Sequence, residues 1–306
     1  MKLKKCSKCK KTAIIQLKYC GLNLCKKCFI RFFGKRVAKT VKENKYLENT
    51  NRIAVALSGG KDSSVVLYLL KKLIKRKIKL IAISIDGGIK GYDDKLLKNA
   101  RKTCRNLKIE HHIYSFKKEL GYDVNDIAKT ASNPCVCGVF RRYILNKKAR
   151  ELKADKLATG HNLNDEAESV LMNIIRGDVA RIARGEGLVK NEKFVQRIKP
   201  LQKCPENEVM FFAKLIFPKY NFSYQCPYRK DVLRADIKRM LKELDKKHDG
   251  LLFQIYEGNK RIRESLLKTI DIKGAPNDCT NCGELTSGDI CQACELNDRI
   301  KKFLKK

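Results

Sequence analysis

The chain of 306 residues has no tryptophan, only six prolines and few acids, 33 Asp and Glu against 68 Lys and Arg. No apolar run approaches the ~18 residues of a membrane span, and no basic helix shows a Trp/Phe face suited to a membrane surface. The start, MKLKKCSKCK, has no hydrophobic signal region, so secretion is not expected and a cytoplasmic location is. There is no low-complexity linker and no long internal repeat. The common ATPase loop pattern GxxxxGK[ST] is also missing.

The scarcity of acids leaves a net charge of +35, and residues 1–50 carry fifteen Lys/Arg against two Glu. A polyanion is the natural partner, because each neutralised phosphate releases counterions. Fourteen cysteines in a chain read as cytoplasmic point to metal rather than disulfides. Cys6-x2-Cys9 and Cys25-x2-Cys28 stand fifteen residues apart, and Cys279-x2-Cys282 and Cys291-x2-Cys294 eight apart. Each CxxC knuckle offers two thiolates to one metal, and two knuckles complete a closed tetrahedral site. We read both quartets as structural zinc, which supplies folding energy that so short a segment lacks. A four-thiolate site has no open position, which excludes catalytic zinc. Cys20 could compete with Cys25; Cys20, Cys104 and Cys204 otherwise read as ordinary thiols.

The stretch ALSGGKDSS (56–64) follows a β-branched apolar run at 52–57 and precedes an apolar helical spacing from Ser63. A strand, a glycine turn and a helix N-terminus aim backbone N–H groups at an anion. Gly59 and Gly60 permit close approach, Lys61 adds a cation, and Ser58, Ser63 and Ser64 add hydroxyls. Strands are expected at 78–86 and 108–116, with a fourth ending at Gly160, and helices at 92–107, 205–217 and 229–268. The alternation predicts an α/β fold with a doubly wound parallel sheet, whose ligands sit beyond the strand C-termini. Ala56, Ser58, Ile85, Gly160 and His161 therefore converge on one nucleotide site. Residues 1–34 read as an N-terminal ribbon, 35–50 as a connector, 51–268 as the ATP-binding domain and 269–306 as a second ribbon. Asp165 and Glu166 open a further helix; capping accounts for such acids, but for Asp165 a role with Mg2+ or as proton acceptor is favoured.

SGGKDS (58–63) resembles the pyrophosphatase-type PP-loop of the adenine-nucleotide α-hydrolase-like superfamily. Taken with CGVFRR (137–142), GHNLNDEAES (160–169), the cysteine of YQCPYR (226) and the terminal quartets, the chain resembles the TtuA/NcsA-type tRNA uridine 2-sulfurtransferases. The resemblance implies a PP-loop domain between two zinc ribbons and a 4Fe-4S cluster held by three cysteines. It implies that ATP adenylates the C2 oxygen of a tRNA uridine and that sulfur then displaces AMP. Cys137 and Cys226 are carried over as cluster ligands. Where the family has CxxC this chain has Cys135-Val136-Cys137, so Cys135 reaches the same cluster only with a different local geometry; without a cluster these thiols would serve as persulfide carrier and resolving thiol. Lys61 and Arg141 are assigned to the phosphates, with Arg141 also a candidate for holding the base, and Asp62 to the loop or to Mg2+. The QCPY context leans the target to position 54 over the wobble position 34. Sulfide or a ubiquitin-like thiocarboxylate protein is the sulfur donor, and a homodimer is possible. A lysidine-type ligase, an amidating synthetase and a non-enzymatic RNA-binding ribbon protein are the rival readings.

Overall fold

The computed structural model describes residues 4–74, 77–130, 136–184, 194–228, 233–269 and 277–305. The N-terminal ribbon is built on an antiparallel hairpin of β1 (Ile15–Leu17) and β2 (Leu22–Leu24). Cys25 then serves as the N-cap of helix α1 (Lys26–Glu43), so the second knuckle runs straight into a helix. Phe29, Phe33, Val37 and Val41, four residues apart, share one face and are buried. Residues 35–43, expected within a connector, are the second half of this packed helix.

The centre is a five-stranded parallel sheet. It comprises β3 (Arg52–Ala56), β4 (Lys79–Asp86), β5 (Glu110–Ser115), β6 (Lys156–Ala158) and β7 (Gln196–Ile198), in the order β5-β4-β3-β6-β7. Helix α2 (Lys61–Leu73) follows β3, and α3 (Asp93–Leu107) follows β4. After β5 come the short α4 (Phe116–Leu120) and α5 (Val124–Lys129), then α6 (Cys137–Glu151). β-strand alternation divides the core. Ile53, Val55, Leu80 and Ala82 face α1, α2 and the later helix at Glu206–Ile216, while Ala54, Ile81, Ile83 and Ile85 face the side covered by α6. The expected doubly wound sheet is therefore present, and the chain order reverses between β3 and β6.

Between β6 and β7 lie α7 (Leu163–Ile175) and α8 (Val179–Arg184). Beyond β7 come α9 (Glu206–Ile216), α10 (Leu233–Lys247) and α11 (Leu251–Thr269). Of the stretch expected to be helical, 229–268, the described residues from 233 on form two helices with Gly250, at φ +90, between them. Leu163, Ala167, Ile237, Leu241 and Leu252 form a small core joining α7, α10 and α11. The C-terminal ribbon has β8 (Asn277–Asp278), β9 (Leu285–Thr286) and α12 (Gln292–Leu304), again capped by a cysteine, Cys291.

Both ribbons are fastened by buried polar groups. Glu208, 1 % exposed, accepts hydrogen bonds from Tyr19 at 2.9 Å and Arg36 at 3.0 Å, tying the first hairpin and α1 to α9. Glu284 accepts from Asn146 at 2.7 Å and pairs with Arg150, seating the second ribbon on α6. Burial pushes the Glu208 carboxyl upward against the pull of Arg36 and Tyr19, and such paired buried carboxylates fix one docking geometry rather than add much stability. Among the described residues no helix is long and apolar enough to cross a membrane.

Candidate active site and metal centres

The turn after β3 lies at the point where strand order reverses, the place where doubly wound sheets open a crevice. Gly59 has φ +82, and an added Cβ would collide with the Leu96 carbonyl, so only glycine fits. Gly60 is the N-cap of α2. The Ser58 and Ser63 hydroxyls lie 3.1 Å apart, and the Gly60 N–H donates to Ser58 Oγ at 3.3 Å. The loop is thereby held open across the helix N-terminus, whose free N–H groups and partial positive charge suit phosphate oxygens. At Gly160 a Cβ would lie 2.9 Å from the Ser63 N, so the loop after β6 packs directly on the start of α2. His161 Nδ1 lies 2.8 Å from Thr159 Oγ1. Ala56 ends β3 and Ile85 lies one residue before the end of β4, so both stand toward the C-terminal edge of the sheet, the edge from which the loop leaves β3.

Lys61 is enclosed rather than free. Its Nζ lies 2.8 Å from Asp62 Oδ2 and 3.0 Å from Glu206 Oε1. Burial alone would lower its pKa, but the two carboxylates reverse this and raise it, so the ammonium stays charged. Burial pushes the Asp62 carboxyl upward against the pull of Lys61. Asp62 Oδ1 accepts from Asn162 Nδ2 at 3.1 Å, which links the loop to the cap of α7. Asn162 and Asp165 form a capping box there: the Asp165 carboxylate accepts from the Asn162 N–H at 3.0 Å. The other carboxylate oxygen of Asp165 lies 3.8 Å from Arg234. Glu166 pairs with Lys199 at 2.6 Å.

Arg141, in the second turn of α6, donates to the Ile85 carbonyl at 2.7 Å and lies 3.3 Å from Asp93 Oδ1. Asp93 is buried and accepts from the Gly87 and Ile89 N–H groups, each at 3.0 Å. The guanidinium is thus aimed from the end of β4, with further N–H groups of its five left for a substrate. Cys137 opens α6, where the helix dipole favours a thiolate. Cys137 and Cys226 are both part-buried and both lie in the electrostatic surroundings of Tyr92. Cys135 lies outside the described residues.

Each terminal quartet gathers its four sulfurs within 4.8 Å of one another. Cys9–Cys25, Cys9–Cys28 and Cys282–Cys291 are 3.5, 3.6 and 3.6 Å apart. A zinc tetrahedron with bonds of about 2.3 Å requires sulfurs about 3.8 Å apart, whereas a disulfide requires about 2.05 Å. The donor sets fit a closed zinc site. Burial raises the thiol pKa of Cys6 and Cys279, but backbone N–H groups of the knuckles more than offset it and bring each down to about 6. Cys20 is exposed and stands outside the quartet. Cys104 and Cys204 are buried, with thiols pushed up to about 12 by burial, which leaves them inert.

Comparison with known proteins agrees with this geometry. A PP-loop domain model matches residues 32–238, and the N-terminal LIM domain of 2-thiouridine synthetase TtuA matches residues 5–30. The tRNA-5-methyluridine(54) 2-sulfurtransferase of Pyrococcus horikoshii is 36% identical over 297 residues, covering 95% of this chain and 93% of that one. The chain belongs to the TtuA/NcsA-type tRNA 2-thiolation family. Another member, the tRNA 2-thiolation protein NcsA of Haloferax volcanii, is 34% identical over 97% of this chain and 99% of its own. Among solved structures, the U34-tRNA thiolase NcsA from Methanococcus maripaludis, with its 4Fe-4S cluster, has a TM-score of 0.84 at 39% identity, covering 97% of each chain. The chain carries the PP-loop and both quartets, and a CxC whose second cysteine, Cys137, opens α6.

Sequence reasoning missed Glu206, Lys238, Asp93 and Tyr92. Asp93 had a local signal, as an acid in the first turn of a predicted helix. Glu206 lies 145 positions from Lys61, and nothing in its own neighbourhood marks it as a partner of the loop.

Proposed function

We propose that this protein is an ATP-dependent tRNA uridine 2-sulfurtransferase. The observation that carries the reading is a nucleotide loop of PP-loop type beside a helix that opens with a cysteine and an aimed arginine. The uridine C2 oxygen attacks the α-phosphorus of ATP, the bond to the β-phosphate oxygen breaks, and pyrophosphate leaves. Sulfur then forms a bond to C2 while the C2–O bond breaks, so AMP departs with the original oxygen. The Gly59 N–H, the free N–H groups that open α2 and the hydroxyls of Ser58 and Ser63 hold the pyrophosphate portion, with Lys61 neutralising charge that grows on it. Ala56, Ile85, Gly160 and His161 flank the adenosine, and Mg2+ enters with the ATP phosphates, with Asp62 the nearest loop carboxylate. Arg141 orients the α-phosphate or the base, and Asp165 accepts the N3 proton as the C2 oxygen becomes nucleophilic.

The remaining donors suit an iron-sulfur cluster: Cys137 and Cys226 are soft ligands in one neighbourhood, and Cys135 precedes the first by two residues. These cysteines would hold a 4Fe-4S cluster, which would supply a soft metal position for inorganic sulfide. The two quartets hold structural zinc. Beside the first quartet, Lys8, Lys11, Lys27, Arg31 and Lys35 line an open groove of about 620 Å3 with no acid among its lining residues, a surface that suits tRNA phosphates. Relatives named for position 54 and for U34 match at 36% and 39% identity, so the proposal concerns C2 thiolation of uridine, and mapping assigns the position.

The test is anaerobic turnover with unmodified tRNA, ATP and sulfide, followed by mass spectrometry of nucleosides and of ribonuclease fragments. One 2-thiouridine per AMP is expected, at one position. Lys61→Ala should lose about 100-fold in rate, the scale of one removed charge-stabilising donor, and keep its tRNA affinity. Thiolation without AMP formation, or AMP formation with an intact C2 oxygen, would overturn the reading.

A further inference from the structure

The Lys61 ammonium has three N–H donors, and two of them are committed before any nucleotide arrives. One is directed to Asp62 at 2.8 Å and one to Glu206 at 3.0 Å, with the lysine side chain 14 % exposed. Glu206 is itself held at three points. Its second carboxylate oxygen lies 3.1 Å from Lys238 Nζ on α10. Its backbone N–H donates to Asn164 Oδ1 at 2.8 Å, and as the first residue of α9 it is favoured by the helix dipole. The formal charges of Lys61 and Lys238 offset those of Asp62 and Glu206, so the enclosure adds no net negative charge against an approaching triphosphate. It fixes the direction of the one remaining donor.

We infer that Glu206 is a positioning residue: it acts through Lys61, holding the ammonium so that its free N–H meets the phosphate charge that develops as the α–β bond of ATP breaks. This rests on the reading of Lys61 as the phosphate-binding lysine. Asp62, although Asn162 ties its other oxygen to the cap of α7, cannot supply this alone, because a single contact from the adjacent residue leaves the ammonium free to pivot about it. Glu206 belongs to a different element and gives an external reference point. An ammonium released from it would pivot about Asp62, and misplacement of about 1 Å costs about 100-fold in rate. The loss falls on the chemical step, since the loop N–H groups that bind ground-state ATP are untouched.

Glu206→Gln keeps the shape and removes the charge. Pyrophosphate release with tRNA present should show kcat about 10- to 100-fold lower and KM for ATP within about threefold of wild type. Lys61→Ala with Glu206→Gln should be no slower than Lys61→Ala alone, because two residues acting through one ammonium are not additive. A role only in seating α9 would instead lower the melting temperature and multiply the two defects. Lys238→Ala, which leaves Glu206 charged but loosens it, is the second variant should Glu206→Gln not fold; a smaller loss, also absent in the Lys61→Ala background, is expected. Wild-type kcat in the folded variant, or a double variant slowed by the product of the single effects, overturns the inference. If the wild-type protein releases no pyrophosphate, it is the function reading that fails instead.

Discussion

Gly59 is the residue whose chemistry is least negotiable in the nucleotide loop. Its φ of +82 lies in the left-handed region, and the space for a side chain is taken by the backbone of Leu96 on α3. Gly59→Ala therefore meets both a conformational penalty and a collision with backbone that cannot rotate away. We expect unfolding free energy to fall by about 1–3 kcal/mol, measured by urea titration, and ATP affinity to fall with it. Gly60→Ala is the control: its φ is negative, and an added Cβ meets nothing closer than the Ser58 hydroxyl at 3.4 Å. It should cost less than half as much. The same scale separates the cysteines. Within the quartets, against the effect of burial, backbone N–H groups bring Cys6 and Cys279 down to about 6, while the neighbouring Cys9 thiol pushes Cys28 up to about 12. The solitary buried thiols at 104 and 204 are pushed up to about 12 by burial.

At the scale of elements, β4 and β5 carry a polar contact inside the sheet. The Ser84 hydroxyl donates to the Leu57 carbonyl at 2.5 Å, so it accepts from His111 Nε2 at 2.7 Å. Burial, with Arg101 and His112 adding to it, lowers the His111 pKa from 6.5 to about 4. The folded protein thus binds fewer protons here than the unfolded chain, and stability rises with pH through this window. The contribution is complete above about pH 6.5 and lost as pH falls toward 4. Urea midpoints at pH 7.5 and 5 should therefore drop more for wild type than for His111→Gln. Helix α1 makes a second case. Cys25 is both a quartet sulfur and its N-cap, so ribbon and helix share one residue. Cys25→Ser should lower zinc content from about two to about one per chain and unfold the ribbon with the first turn of α1, read by metal analysis and amide exchange.

At the scale of the whole molecule, the charge of +35 has a direction as well as a size. The groove beside the first quartet gathers five cations, and Glu208 locks the ribbon that carries it to the sheet domain. Replacing Lys27, Arg31 and Lys35 together with alanine should weaken tRNA binding and reduce the slope of log affinity against log salt by about 2–3, roughly one per lost phosphate contact. ATP affinity should not change. A slope equal to that of wild type would place the RNA elsewhere on the basic surface. Rigid seating matters to this test, because a tethered but loose ribbon would bind phosphates without registering the uridine against the loop.

Local patterns determined much of this protein. The run 52–64 specifies a strand, a glycine turn and a helix, because hydrophobic spacing and backbone freedom are short-range properties. The cysteine quartets are legible for the same reason: a knuckle is a local turn, and two knuckles supply the four ligands of a tetrahedral site. The parallel sheet followed from alternating elements, and the helices near 93–107 and 206–216 lay within a residue or so of expectation. Tertiary structure alone decided what brings distant positions together. Residues 35–43, read as part of a connector, belong to a helix whose four-residue apolar spacing buries one face. The Lys61–Glu206–Lys238 enclosure, the buried Asp93 beneath Arg141 and the Arg36–Glu208 bolt on the ribbon each join elements far apart in the chain. Such pairs leave no periodicity behind, since a single charge on a helix surface has the same local pattern whether it meets water or a partner.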